Sequence, residues 1–256
     1  MKKFLISFLI FFISSISANA FDIKFIQVDS VKYSPNVETS TENFDNLINE
    51  INKEKNVSFV VFTGDNLAKS NKVSLESFLK KANKLNIPYY IALGHKDLNK
   101  RNGLSQNAYM KLAHKYNKNI SETSNYTFKK KNVLFIVANG AKEFIPTPFG
   151  YYREDVIKWV DEILTKNKNK NVVILQHFPI YPPAENEVFY TYKASDYMDV
   201  INNHQNVKAV VSGFKINAEN DINGVKHITT AEFPQYRIIE IIDSETVNPT
   251  IWSTLK

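Results

Sequence analysis

The chain has 256 residues, a formal net charge of +6 at pH 7 and no cysteine. The absence of cysteine excludes disulfides, thiolate metal sites and a cysteine nucleophile. Hydrophobic residues make up 43% of the sequence and aromatic residues 13%, as in globular domains. The positive charge is spread over Lys/Asn-rich loops rather than gathered with aromatic residues, so we expect no nucleic-acid partner.

The N-terminal segment is typical of a secretory signal peptide. Two lysines precede an apolar run over residues 4–16, and Ala18 and Ala20 are small residues where a signal peptidase cleaves. The run is shorter than the roughly 20 residues of a membrane-spanning helix. We therefore predict a signal peptide over residues 1–20. One domain without a membrane span would follow over residues 21–256, exported to a periplasm or the cell exterior.

The first half of the remaining chain alternates predicted strands and helices. Apolar runs predict strands at residues 23–28, 57–62 and 88–93. Apolar side chains at helical spacing predict helices at residues 41–53 and 75–85. Continuously apolar strands followed by helices indicate a parallel sheet that is covered on both faces.

The second half has a less regular order of elements. The prediction is a strand pair at 125–128 and 133–138, helices at 108–116, 153–164 and 195–203, strands at 172–175 and 207–211, and antiparallel tail strands at 225–229, 236–242 and 249–252. Ser195 is the predicted N-cap of the last helix. We find no repeat and no linker, so a single domain is expected.

Several predicted strands end in loops with acidic or histidine side chains. These loops contain Asp29, Asp65, His95 and His177. Ligands of open α/β sheets bind at the carboxyl ends of the strands, so these side chains are expected to converge. Carboxylates and imidazoles suit divalent transition metals, and a pair of such ions can hold a phosphoryl group. Taken alone, Asp65 is also an ordinary turn residue and His177 an ordinary half-buried histidine.

The order of these loops resembles that of the calcineurin-like metallophosphoesterases. The family motifs are D-x-H, G-D, G-N-H-D/E, a lone H often followed by P, and G-H-x-H. The matching segments here are Asp29-Ser30-Val31, Gly64-Asp65-Asn66, Gly94-His95-Lys96-Asp97, His177-Phe178-Pro179 and Gly213-Phe214-Lys215-Ile216. The resemblance spans nearly all of residues 21–256, and the second segment is also similar to the purple-acid-phosphatase branch. It implies a four-layer α/β/β/α sandwich, in which two mixed sheets are flanked by helices.

The resemblance also implies roles for individual residues. Asp29, Asp65 and His177 match metal ligands of the family, with Asp65 bridging two metals. His95 stands at an asparagine ligand position and can itself bind a metal, which gives a candidate metal set of Asp29, Asp65, His95 and His177. Lys96 stands at the position of the catalytic histidine. In an alternative alignment that omits the asparagine, His95 is that catalytic histidine, so His95 and Lys96 are the catalytic candidates.

Other family ligand positions carry side chains that cannot bind a metal. Val31, Phe214 and Ile216 replace histidines and offer no lone pair. Lys96, and with less reason Lys215, could neutralise the aspartates in place of a metal, because an unpaired buried charge is costly. Alternatively, both lysines face solvent. We expect no metal or a single Mn, Fe or Zn ion, and no full dinuclear centre.

Two functions remain open from the sequence. In one, the protein is catalytically impaired or purely a binding protein, whose cleft takes an anion or a phosphate-containing small molecule, or which has a protein partner. In the other, it is an active, secreted, metal-dependent phosphomonoesterase or phosphodiesterase, with Asp65 bridging the metals and His95 assisting. His227 lies outside the matched loops and is not expected to be a ligand.

Overall fold

The computed structural model describes residues 22–183, 191–192, 194–213, 215–243 and 245–253. The predicted signal peptide over residues 1–20 therefore lies outside the described residues, and so does Phe214. Among the residues that are described, no helix has the length and apolar character needed to cross a membrane.

Strands and helices alternate along most of the chain. The strands are β1 (Ile23–Val28), β2 (Phe59–Phe62), β3 (Tyr89–Ile91), β4 (Tyr126–Lys130), β5 (Val133–Val137), β6 (Asn171–Gln176), β7 (Val207–Gly213), β8 (Ala218–Ile222), β9 (Val225–Thr230), β10 (Gln235–Ile242) and β11 (Thr246–Ser253). The helices are α1 (Glu38–Lys53), α2 (Lys72–Ala82), α3 (Gln106–Tyr116), α4 (Glu154–Lys166) and α5 (Ala194–Asn202).

The strands form two mixed sheets. The first has the order β11-β10-β1-β2-β3, in which β1, β2 and β3 are parallel. The second has the order β4-β5-β6-β7-β9-β8, in which β5, β6, β7 and β9 are parallel. The sheets share a core in which Phe25 stacks on Phe59 at 4.8 Å and meets Phe135 of the other sheet edge-on at 5.7 Å. The buried faces exclude water and supply the main driving force for folding.

The helices cover the two outer faces of this pair of sheets. The buried side chains of α1, α2 and α3 belong to the same core cluster as β1, β2 and β3. Those of α4 and α5, such as Val160 and Ile201, pack with Ile136 and Ile174 on the outer face of the second sheet. The predicted sandwich of two mixed sheets flanked by helices is therefore confirmed.

Side-chain caps explain where two helices begin. Asn71 accepts a hydrogen bond from the Ser74 N–H, and Ser105 accepts one from the Ala108 N–H, so α2 and α3 each begin directly after a capping residue. The sequence predicted the start of each of these helices two or three residues too late, because the first turn is polar and apolar spacing gives no signal for it. The predicted cap at Ser195 is wrong, since Ser195 lies inside α5 and its hydroxyl donates to Asp196.

The C-terminal strands differ from the prediction in two ways. β8 was not predicted, because it is a sheet-edge strand with polar, partly exposed residues rather than an apolar run. β9 is antiparallel to β8 but parallel to β7, so the prediction of purely antiparallel tail strands is wrong for β9. β10 is antiparallel to both β1 and β11, as predicted for that part of the tail.

Candidate metal centre

Loops from both sheets bring Asp65, His95 and His177 together. Asp65 follows β2, His95 follows β3, and His177 comes directly after β6. Each side chain offers one ligand atom, and the three atoms lie within 4.8 Å of one another. Asp65 and His177 are buried and His95 is half-buried, so His95 forms the solvent-facing side of the cluster. This set has the donor chemistry that a divalent transition metal requires.

A left-handed backbone turns the Asp65 carboxylate into the cluster. Gly64 has a φ of 114°, and a Cβ at this position would lie 2.7 Å from the His177 ring. Asp65 itself has a φ of 49°. The Lys96 backbone N–H donates to Asp65 Oδ1 at 2.9 Å and fixes one carboxylate oxygen. Glycine is required at position 64 both for its φ and for the close approach of the imidazole.

Contacts at Nδ1 fix the orientation of the His177 ring. Nδ1 lies 2.9 Å from the Thr63 carbonyl oxygen, to which it donates, and 3.3 Å from Asp29 Oδ1. Nε2 faces Asp65 Oδ1 at 3.5 Å. Burial lowers the pKa of His177, but the Asp65 and Asp29 carboxylates outweigh it and raise the pKa to about 9. A backbone carbonyl that holds Nδ1–H leaves Nε2 as the atom for a metal, which is a common arrangement for histidine ligands.

His95 contributes a nitrogen that has no hydrogen-bond partner among the described residues. Its Nδ1 is buried and lies 3.2 Å from Asp65 Oδ2 without the alignment of a hydrogen bond. Burial lowers the pKa of His95, against the opposing effect of the Asp65 charge. A neutral imidazole has a lone pair available. This buried, unpartnered nitrogen therefore fits a metal ligand.

Asp29 lies on the Nδ1 side of His177 and outside the three-ligand cluster. Its side chain is fully buried, Oδ1 accepts from Thr63 Oγ1 at 2.9 Å, and Oδ2 accepts from Ser30 Oγ at 2.7 Å. Burial raises the pKa of Asp29, and the charge on His177 opposes this. In this geometry Asp29 holds His177 in place. Its assignment as a metal ligand stays a prediction.

The two candidate surrogate lysines do not pair with the aspartates in the described part of the chain. Lys96 contacts Asp65 through its backbone N–H rather than its ammonium group. Lys215 is exposed and lines a cavity of about 60 Å³ together with Asp29, Asp65 and His177. The charge of His177, not that of a lysine, therefore faces both carboxylates.

Replacing the Lys96 side chain tests this difference. Because only the backbone of Lys96 holds Asp65, Lys96→Met is expected to change the free energy of unfolding by no more than about 0.5 kcal/mol. Lys81→Met is the control, since the Lys81 ammonium does pair with Asp45, and it is expected to cost about 0.5–1 kcal/mol. Urea unfolding measures both. A larger loss for Lys96→Met than for Lys81→Met would show that the Lys96 ammonium stabilises the site.

Two family ligand positions that the structure describes carry no donor atom. Val31 is buried in the main core cluster, and Ile216 is half-buried. Among the described residues, Asp65, His95 and His177 form the one grouping of acidic and histidine side chains close enough to share an ion. This grouping is consistent with a bound metal, and the number of ions stays a prediction.

Asp97 is a buried residue whose role the sequence analysis missed. Its Oδ2 accepts from the Gly94 N–H at 2.9 Å and from Asn66 Nδ2 at 3.1 Å, and its Oδ1 accepts from the Leu67 N–H at 3.1 Å. Burial raises the pKa of Asp97 to about 7, and the Asp65 charge adds to the shift. Asp97 thereby joins the loop after β2 to the loop after β3. Its place at the end of the Gly94-His95-Lys96-Asp97 segment was the available signal.

His227 is not part of this cluster. It lies in β9, is buried, and its ring centroid is 5.5 Å from that of Tyr181. It lies outside the grouping of Asp65, His95 and His177, and the expectation that it is not a ligand stays a prediction.

Comparisons with known proteins identify the family. Residues 37–213 match the family described as calcineurin-like phosphoesterase. Over 84 residues the chain is 27% identical to the manganese-dependent ADP-ribose/CDP-alcohol diphosphatase of Danio rerio, a match that covers 31% of this chain and only 26% of that relative.

Solved structures share the fold over most of the chain. A dimetal phosphatase from Danio rerio aligns with a TM-score of 0.71 and 13% identity, over 90% of this chain and 99% of that one. GAP50, described as the anchor in the inner membrane complex of Plasmodium, aligns with a TM-score of 0.65 and 15% identity, over 93% and 86% of the two chains. With the family match and the loops described above, this chain belongs to the calcineurin-like phosphoesterase family.

Proposed function

We propose that the protein binds one divalent metal ion through Asp65, His95 and His177 and uses this site to bind a phosphate-containing small molecule, with impaired phosphoester hydrolysis. The observation that carries the proposal is the convergence of these three ligand atoms within 4.8 Å. Positions 31 and 216, which the resemblance matches to family histidines, carry Val and Ile, whose side chains supply no donor atom. A bound divalent ion would supply Lewis-acid polarisation of a phosphoryl oxygen. Two-ion sites stabilise the attacking and leaving oxygens together, so a one-ion site lacks part of that effect.

The residues around the three ligands support anion binding. The cavity of about 60 Å³ beside Asp65 and His177 suits a phosphate group rather than a whole organic ligand. Lys215 lines this cavity and contributes a positive charge at its exposed rim. Electrostatic attraction of this kind increases the local concentration of anions. The phosphoryl group would therefore lie between the metal ligands and Lys215.

We also propose export of the protein, on the basis of the basic and apolar pattern of residues 1–20. N-terminal sequencing of protein recovered outside the cytoplasm is expected to give a chain that begins after Ala20. Recovery of the chain with its first twenty residues intact in the cytoplasm would contradict export.

Metal titration tests the proposed function. The purified protein is expected to bind one equivalent of Mn²⁺, Fe²⁺ or Zn²⁺ by calorimetry and metal analysis. Asp65→Asn removes the charged ligand and is expected to weaken binding by at least roughly 100-fold. Asp161→Asn is the matched control, because Asp161 is a half-exposed carboxylate paired with His204, and this variant should keep one equivalent.

Hydrolysis of an aryl phosphate with each metal added completes this test. We expect turnover far below that of a dinuclear enzyme. Failure of the wild-type protein to bind any metal would overturn the proposal. Two equivalents of metal, with turnover that disappears in Asp65→Asn, would establish the alternative, an active metal-dependent phosphomonoesterase or phosphodiesterase. The name of the zebrafish relative makes manganese and a diphosphate ester the first combination to assay.

A further inference from the structure

A second and much larger cavity lies at the carboxyl end of β5. Its volume is about 450 Å³, compared with about 60 Å³ for the cavity at the candidate metal centre. The start of α3, the residue before β4, the loop after β5 and the start of α4 all contribute to its wall. Its lining includes Gln106, Asn125, Asn139, Glu143, Phe144 and Tyr151. None of them belongs to the metal cluster.

One loop forms a wall of both cavities. It spans residues 140–151 and is closed at its base by the Tyr151 N–H, which donates to the Gly140 carbonyl at 2.8 Å. Ile145 lines the large cavity, and Pro148 lines the cavity at the metal centre. They are three positions apart in the chain, so their Cα atoms lie no more than about 11 Å apart. The two cavities therefore border the same loop, the large one at Ile145 and the small one at Pro148.

Aromatic rings form the apolar part of the large cavity. Tyr151 is half-buried, and Phe144 is 56% exposed. The ammonium group of Lys142 lies 5.1 Å from the centre of the Tyr151 ring, and that of Lys100 lies 4.4 Å from the centre of the Phe144 ring. Aromatic faces that border a cavity favour a planar ring as the ligand.

Amide side chains form the polar part of this cavity, and they are held in fixed orientations. Asn139 Nδ2 donates to Gln106 Oε1 at 3.0 Å, and the Asn139 N–H donates to Asn125 Oδ1 at 2.8 Å. The amide nitrogens of Gln106 and Asn125 make no hydrogen bond to the described residues, so their N–H groups can donate to a ligand. A few fixed polar groups in a largely apolar pocket are typical of a small-molecule site.

Three charged groups of the cavity wall, those of Glu143, Arg153 and Asp155, are already paired. Arg153 makes two hydrogen bonds to Asp155, at 2.9 and 2.8 Å. Glu143 accepts from Lys100 at 3.0 Å and from the Gln106 N–H at 2.8 Å. Lys142 lines the cavity as well, with its ammonium group over the Tyr151 ring and no carboxylate partner among the described residues. The part of a ligand in this cavity therefore carries no positive charge, is planar and is able to accept hydrogen bonds.

We propose that this cavity binds the nucleobase of a nucleotide whose phosphate lies at the candidate metal centre. The placement of the phosphate at the candidate metal centre rests on the proposed function. The placement of the nucleobase rests only on the aromatic rings and amide side chains of the large cavity. The ligand of the protein is then a nucleoside phosphate or diphosphate rather than an arbitrary phosphate ester.

Binding of nucleosides, which carry no phosphate, tests the nucleobase site separately, because it requires neither a bound metal nor a measurement of hydrolysis. Adenosine, guanosine, cytidine and uridine are titrated into metal-free protein by calorimetry, and at least one is expected to bind. Tyr151→Ala is expected to weaken that binding roughly tenfold or more, whereas Tyr151→Phe keeps the ring face and is expected to stay within about threefold. Phe144→Ala serves as a second variant, because this exposed side chain is dispensable for folding. Circular dichroism verifies the fold of each variant.

The outcomes separate the two proposals. If none of the four nucleosides binds, or if Tyr151→Ala and Phe144→Ala both bind as tightly as the wild-type protein, the nucleobase inference is overturned, and one equivalent of metal would still support the proposed function. If a nucleoside binds as expected to a protein that takes up no metal, the proposed function fails and the nucleobase site stands. With metal present, the matching nucleoside 5′-phosphate is expected to bind at least tenfold more tightly than the nucleoside, and equal affinities would contradict a shared ligand.

Discussion

Gly213→Ala is expected to destabilise the protein by about 3 kcal/mol or more, because there is no room for a methyl group at this position. A Cβ on Gly213 would lie 1.7 Å from Asp29 Oδ1 and 2.2 Å from its carboxyl carbon. Asp29 cannot easily move away, since Thr63 and His177 contact the same oxygen atom. The added methyl group would therefore displace a buried carboxylate from its partners.

A double-mutant cycle makes this prediction specific. In Asp29→Ala the clashing atoms are absent, so adding Gly213→Ala is expected to cost less than about 1 kcal/mol in that background. Gly224→Ala is the control: no heavy atom lies within 4 Å of its added carbon, although its φ of 80° costs about 1–2 kcal/mol. Urea unfolding gives the four free energies of the cycle and that of the control. Equal costs of Gly213→Ala in both backgrounds would show that the contact with Asp29 is not the cause.

The contact between Gly213 and Asp29 illustrates what a sequence can and cannot predict. Strand-end placement explains why Asp65 and His95 lie close together, because they follow neighbouring parallel strands of the first sheet. His177 follows β6 of the second sheet, so its approach to them also depends on how the two sheets pack. The position of Asp29 relative to His177 depends on how two sheets pack, and these residues are 148 positions apart. No local pattern encodes such a distance, so ligand and supporting residue could not be distinguished.

Lys96 shows a second limit of the same kind. The family motif led us to predict a role for the Lys96 ammonium group, whereas in the structure its backbone N–H donates to Asp65. Every residue except proline carries that donor, so sequence identity contains no signal for it. Asp97 is the opposite case, because its contacts are made by a side-chain carboxylate, which the sequence does show. Asp97 is also the last residue of the Gly94-His95-Lys96-Asp97 segment. Apolar runs predicted most of the strands and helices, and the family resemblance implied the sandwich. Neither could predict which group of each loop residue faces the centre.

The protein is expected to lose about 3 kcal/mol of stability between pH 6.5 and pH 4 because of a single histidine, His227. His227 is 4% exposed, and neither ring nitrogen has a hydrogen-bond partner among the described residues. Burial lowers its pKa from 6.5 to about 4, and the charge of Asp221 opposes this only in part. The folded protein therefore holds His227 in its neutral form.

The sign of the pH dependence follows from proton uptake. Below pH 6.5 the unfolded chain binds a proton at His227, whereas the folded protein does not bind it until about pH 4. The unfolded state is thus favoured progressively as the pH falls through this window, and the contribution is constant above it. Other groups also titrate here, so the quantity to measure is the difference between the wild-type protein and a variant that lacks the imidazole.

His227→Phe is that variant. Phenylalanine can keep the ring contact with Tyr181, at 5.5 Å in the wild-type protein, and removes both unpartnered nitrogens. Its unfolding free energy is expected to exceed that of the wild-type protein at pH 4 by about 3 kcal/mol more than it does at pH 7.5. Urea unfolding at half-unit pH intervals measures this difference. If the two curves run parallel from pH 7.5 to 4, then His227 takes up its proton in the folded state as readily as in the unfolded state, and the strand that holds it must open to water.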